Sequence, residues 1–475
     1  MQTVPDATAK PVSPLREMLA IAIPTILQMA SYTIQQFTDI FMLAKVGDTH
    51  ATAAAMGGLA TFCFISFGFG VLMLVNAMAG QAFGAKKFNE CGAHLWQGIW
   101  LALAYSAVVT PAIFLGRPMF VAFGHSDELI RLEYAYFAIA MSFVVIKMLA
   151  TAVGQFLLAV DRPNIVLLSA ATGVIVNIFA NWVLIYGKLG APAMGVAGAA
   201  WGTNIGVTCE LLILAVVAFG PKVRAAYNTF AWRFDRAKFF ELLKIGLPSG
   251  FQVTADVFAW TIFLFGIMNM YGEKALAANN YMIQYMKVSF MPAFGFGVAV
   301  SVLVARYVGA KEFQTATHRA HLGFKIAGAY MFACGIVFVV FSEWLLRFFT
   351  IDPEIIRIGK LLFIFCAIYQ VFDAMFIIYS NALRGVKDTF WPATIQVVMC
   401  WSLVVGGSWL VARYAPHWGV GGPWTLGSLY GILLGLYLLV RFGAGRWRQQ
   451  YEAHTEPAPE IVARTAAAVE PLVER

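Results

Sequence analysis

The sequence predicts an all-α integral membrane protein: about twelve transmembrane helices in two six-helix lobes, related by a pseudo-two-fold axis along the membrane normal. Three observations carry that prediction. Hydrophobic residues make up 60% of the 475-residue chain and charged residues 12%, about half the charged share of soluble domains. Apolar windows of about 20 residues or more, enough for a helix to cross a hydrocarbon core about 30 Å thick, recur along almost the whole length. The second half also echoes the first at a nearly constant offset.

Taken in order, residues 1–16 are polar, carry Pro5, Pro11 and Pro14, and form an expected cytoplasmic segment. They show no cleavable signal, because the apolar run that follows is too long for a signal-peptide core. Windows at 17–45, 51–80, 92–116, 129–158, 163–186 and 194–219 build a first lobe over 17–219. Residues 220–240 are a basic cytoplasmic connector. Windows at 241–271, 275–305, 323–348, 354–383, 389–413 and 420–443 build a second lobe over 241–443. Residues 444–475 read as a polar cytoplasmic tail with no composition for a core. The longest windows predict tilt or kinks, with Pro24, Pro248 and Pro292 as candidate bend points.

The internal echo is collinear. AIPT with Pro24 returns as GLPS with Pro248, 224 residues later, and FGAKKF at 83–88 returns as VGAKEF at 308–313, a shift of 225. Leu157–Val160 matches Leu383–Val386 at 226, and Gly195–Gly198 matches Gly419–Gly422 at 224. Six crossings per repeat give both lobes the same orientation, the layout of alternating access.

Basic residues orient the chain. With the N-terminus cytoplasmic, the inside connections carry Lys86, Lys87, Arg162, Lys222, Arg224, Arg233, Arg236, Lys238, Lys311, Arg319, Arg384, Lys387, Arg446 and Arg448. The outside ones hold mainly Lys45, Arg117, Lys188, Lys274, Arg347 and Arg413. This bias places both termini of a multi-pass membrane protein in the cytoplasm. The net charge of +8 follows from that topology, and no nucleic-acid partner is expected. Six scattered cysteines form no metal-type pairs and read as packing residues.

Two carboxylates then demand a reason. Asp256 and Asp373 interrupt long apolar stretches, where a central charge costs about 2.5–3.5 kcal/mol on insertion scales and normally faces a cavity or partner. Gln252 with Asp256, and Tyr369 with Asp373, are i,i+4 neighbours and share helix faces. If these faces meet one cavity, the set suits a cation or protons; if not, each Asp merely bonds a neighbouring helix. In the first lobe, Asp39 follows Gln35 and Gln36 by one turn, and Asn177 and Asn181 form another i,i+4 pair, so a second polar pocket or plain helix bridging fits there. Lys147 falls opposite Asp373 through the repeat shift. Lys287, one turn after Gln284, is placed to neutralise a nearby carboxylate when no substrate is bound, and for Lys147, Lys287 and Glu210 alike the alternative is a structural ion pair or snorkelling. Most Phe, Met and Trp side chains read as lipid-facing or packing, and the few that would line a cavity suit bulky, flat, partly cationic molecules.

At these residues the chain resembles the multidrug and toxic compound extrusion (MATE) family, in its NorM-like branch, over essentially 15–445. The carrying motifs are Pro24 to Asp39-Ile40-Phe41-Met42, GQAFGAKKF, and NIFANWVLIYG with GVAGAAWGT. GLPSG running to Asp256, and Tyr369-Gln370 to Asp373 followed by LRGVKD, complete the set. The resemblance implies a two-lobe antiporter that expels drugs or toxins in exchange for Na⁺ or H⁺, with no other cofactor and no enzymatic activity. It places Asp256, Asp373 and Tyr369 at a second-lobe cation site, with Na⁺ a candidate at the two acids. Asp39 matches the acidic residue that other branches use in the first lobe. Two positions depart from the pattern: Asp256 stands where many NorM-type members have Glu, and Asn181 where other branches often have a second acid.

The expected partners are small-molecule drugs or toxins and membrane lipid, with a single chain sufficient for function. A flippase for lipid-linked precursors shares the architecture but needs a basic cavity, which only Lys147 and Lys287 favour. A membrane-embedded enzyme is the remaining alternative, and neither HExxH nor GxSxG occurs.

Overall fold

Apolar stretches in a hydrocarbon solvent must satisfy their own backbone, so they become helices. The computed structural model describes residues 13–452, and no strand occurs among them. Twelve spans run through it: α1 (Pro14–Ala44), α2 (Asp48–Gly84), α3 (Phe88–Ala122), α4 (Asp127–Ser142 with Val144–Ala159), α5 (Pro163–Tyr186) and α6 (Val196–Ala218). The second set is α7 (Arg236–Tyr271), α8 (Glu273–Gly309), α9 (Phe313–Val340), α10 (Pro353–Gly385), α11 (Phe390–Tyr414) and α12 (Gly421–Glu452). Eleven are long and apolar enough to cross a membrane individually, and α4 makes the twelfth as a bent pair. The protein is a multi-pass, all-α membrane protein.

Local chemistry sets the helix ends. Ser13, Ser126, Asp235 and Asp352 cap α1, α4, α7 and α10 through side-chain oxygens that accept first-turn N–H groups, satisfying donors the helix cannot. Gly187 ends α5 at φ +67, where a Cβ would sit 2.7 Å from the Ala193 nitrogen. The repeat is visible in the backbone. Lys86 and Lys311 take φ 59 and 62, Asp161 and Lys387 take 65 and 60, and Gly195 and Gly419 take 55 and 57.

The three prolines expected as bend points do not interrupt their helices, whereas Pro111 sits in a 3₁₀ turn, Thr110–Ala112, within α3. α1, α7 and α8 continue through Pro24, Pro248 and Pro292. The sharp bend is in α4, 49° at Phe143, where the Phe143 ring packs edge-on against Trp201 at 5.4 Å. Wide π turns occupy Ile262–Ile267 in α7 and Cys400–Gly407 in α11.

The lobes meet at the end that the Lys/Arg bias assigns to the cytoplasm. Gly84 lies so close to α8 that a Cβ would stand 1.8 Å from the Arg306 carbonyl oxygen, and Gly309 presses on Gln81 in the same way at 2.0 Å. The Arg306 guanidinium donates to the carbonyls of Leu158 and Ala159 and to Asp161, and it stacks over Phe83. Gln81 donates to the Gly385 carbonyl at 2.8 Å, and Glu17 accepts from Tyr307 and Arg319 at 2.6 and 2.7 Å. Near mid-membrane, Ser66 bonds Thr254 and Phe67 packs edge-on against Phe251. Among the described residues, no hydrogen bond or ion pair joins the two lobes at their opposite ends.

Residues 1–12 and 453–475, most of the expected terminal segments, lie outside the described residues. The expected free tail from 444 is corrected at its start. Arg446–Glu452 is helical, because Trp447 is buried against Phe313 and Phe442 and the Tyr451 hydroxyl donates to the Val386 carbonyl.

Candidate functional site

Asp256 projects from α7 beneath a π turn and meets α11. Its Oδ1 accepts from Gln396 Nε2 at 3.3 Å, with Cys400 Sγ at 3.9 Å. Gln252, one turn earlier on the same face, donates from Nε2 to Gln396 Oε1 and accepts from Arg384 at 3.3 Å. Asp373, on α10, is 2% exposed and accepts from the Tyr369 hydroxyl at 2.8 Å. Asp256 lies close enough to interact electrostatically with Asp373, Tyr369, Tyr430 and Arg384. The two acids thus belong to one cluster of polar side chains drawn from α7, α10, α11 and α12.

Close packing holds this cluster. The Tyr369 ring lies against Gly431 of α12, where a Cβ would be 2.3 Å from the ring. Gln370, pointing the other way, donates to Ser289 of α8 at 2.7 Å. Of the two carboxylates only Asp256 lies in the field of the Arg384 guanidinium, so with both acids ionised the cluster carries a surplus negative charge. In a low-dielectric interior an uncompensated charge is costly, and a monovalent cation or a proton relieves it.

Sequence reasoning placed Asp256, Gln252, Tyr369 and Asp373 correctly on shared faces, but it missed Gln396, Tyr430 and Cys400. The helical phase between α7 and α11 is invisible in one chain. Arg384 carried a signal that was read as topology: counted among the inside basic residues, it instead reaches Gln252 and the field of Asp256.

The expectation that Lys287 neutralises a carboxylate is corrected. Ser289 shows which face of α8 meets α10; Lys287, two residues earlier, lies about 200° away around the helix. Lys287 and Gln284 are exposed, as is Asn280. These three positions line one face, and a polar face of this kind belongs beside water rather than lipid.

The first lobe carries two polar clusters. Asn181 Nδ2 donates to Asp39 Oδ1 at 2.5 Å and to Asn177 Oδ1 at 3.4 Å, and Asn177 Nδ2 donates to Thr203 at 3.4 Å. Both asparagines are fully buried. Gln35, expected beside Asp39, is half-buried and does not join this network. In the second cluster the Tyr32 hydroxyl donates to Glu210 at 2.6 Å, Gln28 donates to Tyr32, and Lys147 lies in the electrostatic field of Glu210. The acid whose field Lys147 feels therefore belongs to its own lobe.

The family model named MatE matches the chain twice, over residues 24–183 and 248–410. This chain belongs to the MatE family. MatE proteins are transporters and not enzymes, and the double match falls on the two repeats read from the sequence. Among curated relatives, the chain is 27% identical to a probable multidrug resistance protein NorM of Mesorhizobium japonicum, with 91% of this chain and 93% of the relative covered. It is also 27% identical to the NorM of Agrobacterium fabrum, covering 93% and 96%. Solved structures show the same fold. A transporter of the MOP superfamily from Pyrococcus furiosus superposes with a TM-score of 0.81 at 17% identity, covering 94% of this chain and 97% of that one. A MATE transporter in an outward-facing conformation gives 0.81 at 18% identity over the same shares.

Proposed function

We propose that this chain is a secondary active multidrug efflux antiporter of the inner membrane, exporting bulky organic cations in exchange for Na⁺ or H⁺ by alternating access. One observation supports the reading: Asp256 and Asp373, from different helices, lie within each other's electrostatic reach in one polar cluster with Tyr369, Gln396 and Arg384. The names of the NorM relatives support small-molecule drugs or toxins as cargo.

In the proposed cycle the cavity facing the cytoplasm takes a cationic substrate toward the acids. After the lobes rock, with both termini remaining cytoplasmic, Na⁺ or H⁺ enters from outside, occupies the carboxylates and releases the cargo. The seal through Gly84, Arg306 and Gln81 then corresponds to the outward-open half of the cycle, and a single chain contains every part. Each charge moving inward gains about 2.3 kcal/mol per 100 mV, equivalent to about a fiftyfold concentration ratio. Asp39 with Asn181, and Glu210 with Tyr32, are assigned to holding the first lobe together, since their bonds close within it.

The test is efflux of a fluorescent organic cation from proteoliposomes, with Na⁺ and pH gradients imposed separately. Asp256→Asn/Asp373→Asn is expected to lose gradient-driven efflux while keeping the wild-type melting temperature in detergent. Undiminished efflux by that double variant refutes the coupling role.

A further inference from the structure

At the cytoplasmic edge of the second lobe, away from the paired acids, lies a second cavity of about 680 Å³. Four cations line it: Lys244 from α7, Lys387 from the turn before α11, and Arg441 and Arg446 from α12. Two are compensated. Lys387 pairs with Glu241 at 2.8 Å, and Arg441 grips Asp388 with two hydrogen bonds of 2.8 Å each. Lys244 and Arg446 are exposed and form no ion pair among the described residues. The cavity thus keeps two surplus positive charges while its salt bridges fix the walls.

Its rim is aromatic. Phe390 and Trp391 are 59% and 53% exposed and stand edge to face with centroids 5.5 Å apart. Exposed rings beside a basic pocket mark the level where headgroups meet acyl chains. The first turn of α11 also opens here without a side-chain cap, because the Thr389 hydroxyl donates instead to the Ile245 carbonyl. Unspent N–H groups at a helix start add to the positive field.

We infer that this cavity binds the headgroup of an anionic phospholipid of the inner leaflet, with the phosphate between Lys244 and Arg446 and the upper acyl chains along Phe390 and Trp391. A free phosphate has no use for the aromatic rim, and a zwitterionic lipid has no net charge to offset the two cations. The site also adjoins the contact between lobes. Gly385, two residues before Lys387, accepts from Gln81, and Tyr451 on the terminal turn of α12 accepts from the same amide. A bound headgroup therefore braces the sealed arrangement.

The test uses the full chain in neutral detergent, with binding read by native mass spectrometry and stability by thermal unfolding. Phosphatidylglycerol is expected to bind and raise the melting temperature, and phosphatidylcholine to do neither. Lys244→Gln/Arg446→Gln is expected to weaken phosphatidylglycerol binding about thirtyfold, at roughly fivefold per removed charge. Should the double variant prove unstable without lipid, Lys244→Gln alone is expected to give the fivefold loss. Unchanged phosphatidylglycerol affinity in the variants overturns the inference. So does displacement of the lipid by equimolar inorganic phosphate, which assigns the cavity to a free anion. Neither readout depends on efflux, so failure here leaves the antiport reading standing.

Discussion

Substituting Gly431 tests the cation pocket through packing alone, without touching a charge. An added Cβ stands 2.3 Å from Cε2 and 2.4 Å from Cδ2 of Tyr369. Ordinary contact begins at 3.4 Å, so the ring must retreat by about 1.1 Å. The Tyr369 hydroxyl lies farther from the pivot than these carbons and moves at least as far. A hydrogen bond of 2.8 Å to Asp373 is then stretched beyond reach. Overpacking of this kind costs about 1–3 kcal/mol, and losing a hydrogen bond to a carboxylate costs about 1.5–3 kcal/mol. Gly431→Ala is therefore expected to lower the melting temperature in detergent and to shift the concentration of Na⁺ or H⁺ that half-saturates efflux by tenfold or more. The control is Gly427→Ala, one turn earlier on α12, where the nearest atom to the new Cβ is 4.0 Å away. It is expected to be neutral or slightly stabilising, since alanine favours a helix interior by about 0.8–1 kcal/mol over glycine. If both variants melt alike and couple alike, Tyr369 does not position Asp373 and the packing argument fails.

Two further outcomes follow from the same geometry. Gly84→Ala drives a methyl to within 1.8 Å of the Arg306 carbonyl oxygen, backbone that cannot rotate away, so α2 and α8 must part by about 1.6 Å. Labelling of Ala305→Cys from the cytoplasmic face by a membrane-impermeant maleimide is expected to rise severalfold, and equal labelling refutes the seal. The Asp235 carboxyl is held below the usual carboxylate range by the Lys238 backbone N–H and then by the Lys238 ammonium. Its contribution to stability is present above the unfolded value of about 3.9 and is lost as the pH falls through the lower folded value. Asp235→Ala is expected to cost about 1 kcal/mol near neutrality, a deficit in thermal unfolding that shrinks below about pH 4. A constant deficit refutes the cap.

The fold was legible because lipid imposes one rule on every span. Twelve apolar windows became α1–α12, and the FGAKKF and VGAKEF echo became two turns with matching backbone angles at Lys86 and Lys311. The interruptions were harder to read. The bend at Phe143 has no proline or glycine to announce it, and the ring there packs against Trp201 of another helix, a contact one sequence does not display. The three prolines that looked like bend points sit inside helices that continue through them. Trp447 and Tyr451 were read as tail because the segment is polar on average, yet one buried ring and one half-buried ring dock the short helix.

The site divides along the same line. Within one helix, i,i+4 spacing put Gln252 with Asp256 and Tyr369 with Asp373, and both pairs hold. Across helices the chain is silent, so Gln396 and Tyr430 went unnoticed although they complete the pocket. Arg384 is the instructive case: a basic residue near a helix end ordinarily reports topology, and here a long side chain also turns inward to Gln252. The charge balance depends on that turn. With Lys287 as the counter-ion the acids face a lysine on the far side of α8. With Arg384, Asp256 meets a guanidinium linked through Gln252 to the bond network that holds it. A guanidinium stays charged across the physiological range, so the balance at the site turns on the two carboxylates alone. The proposed exchange then rests on substrate and coupling ion competing for those same carboxylates.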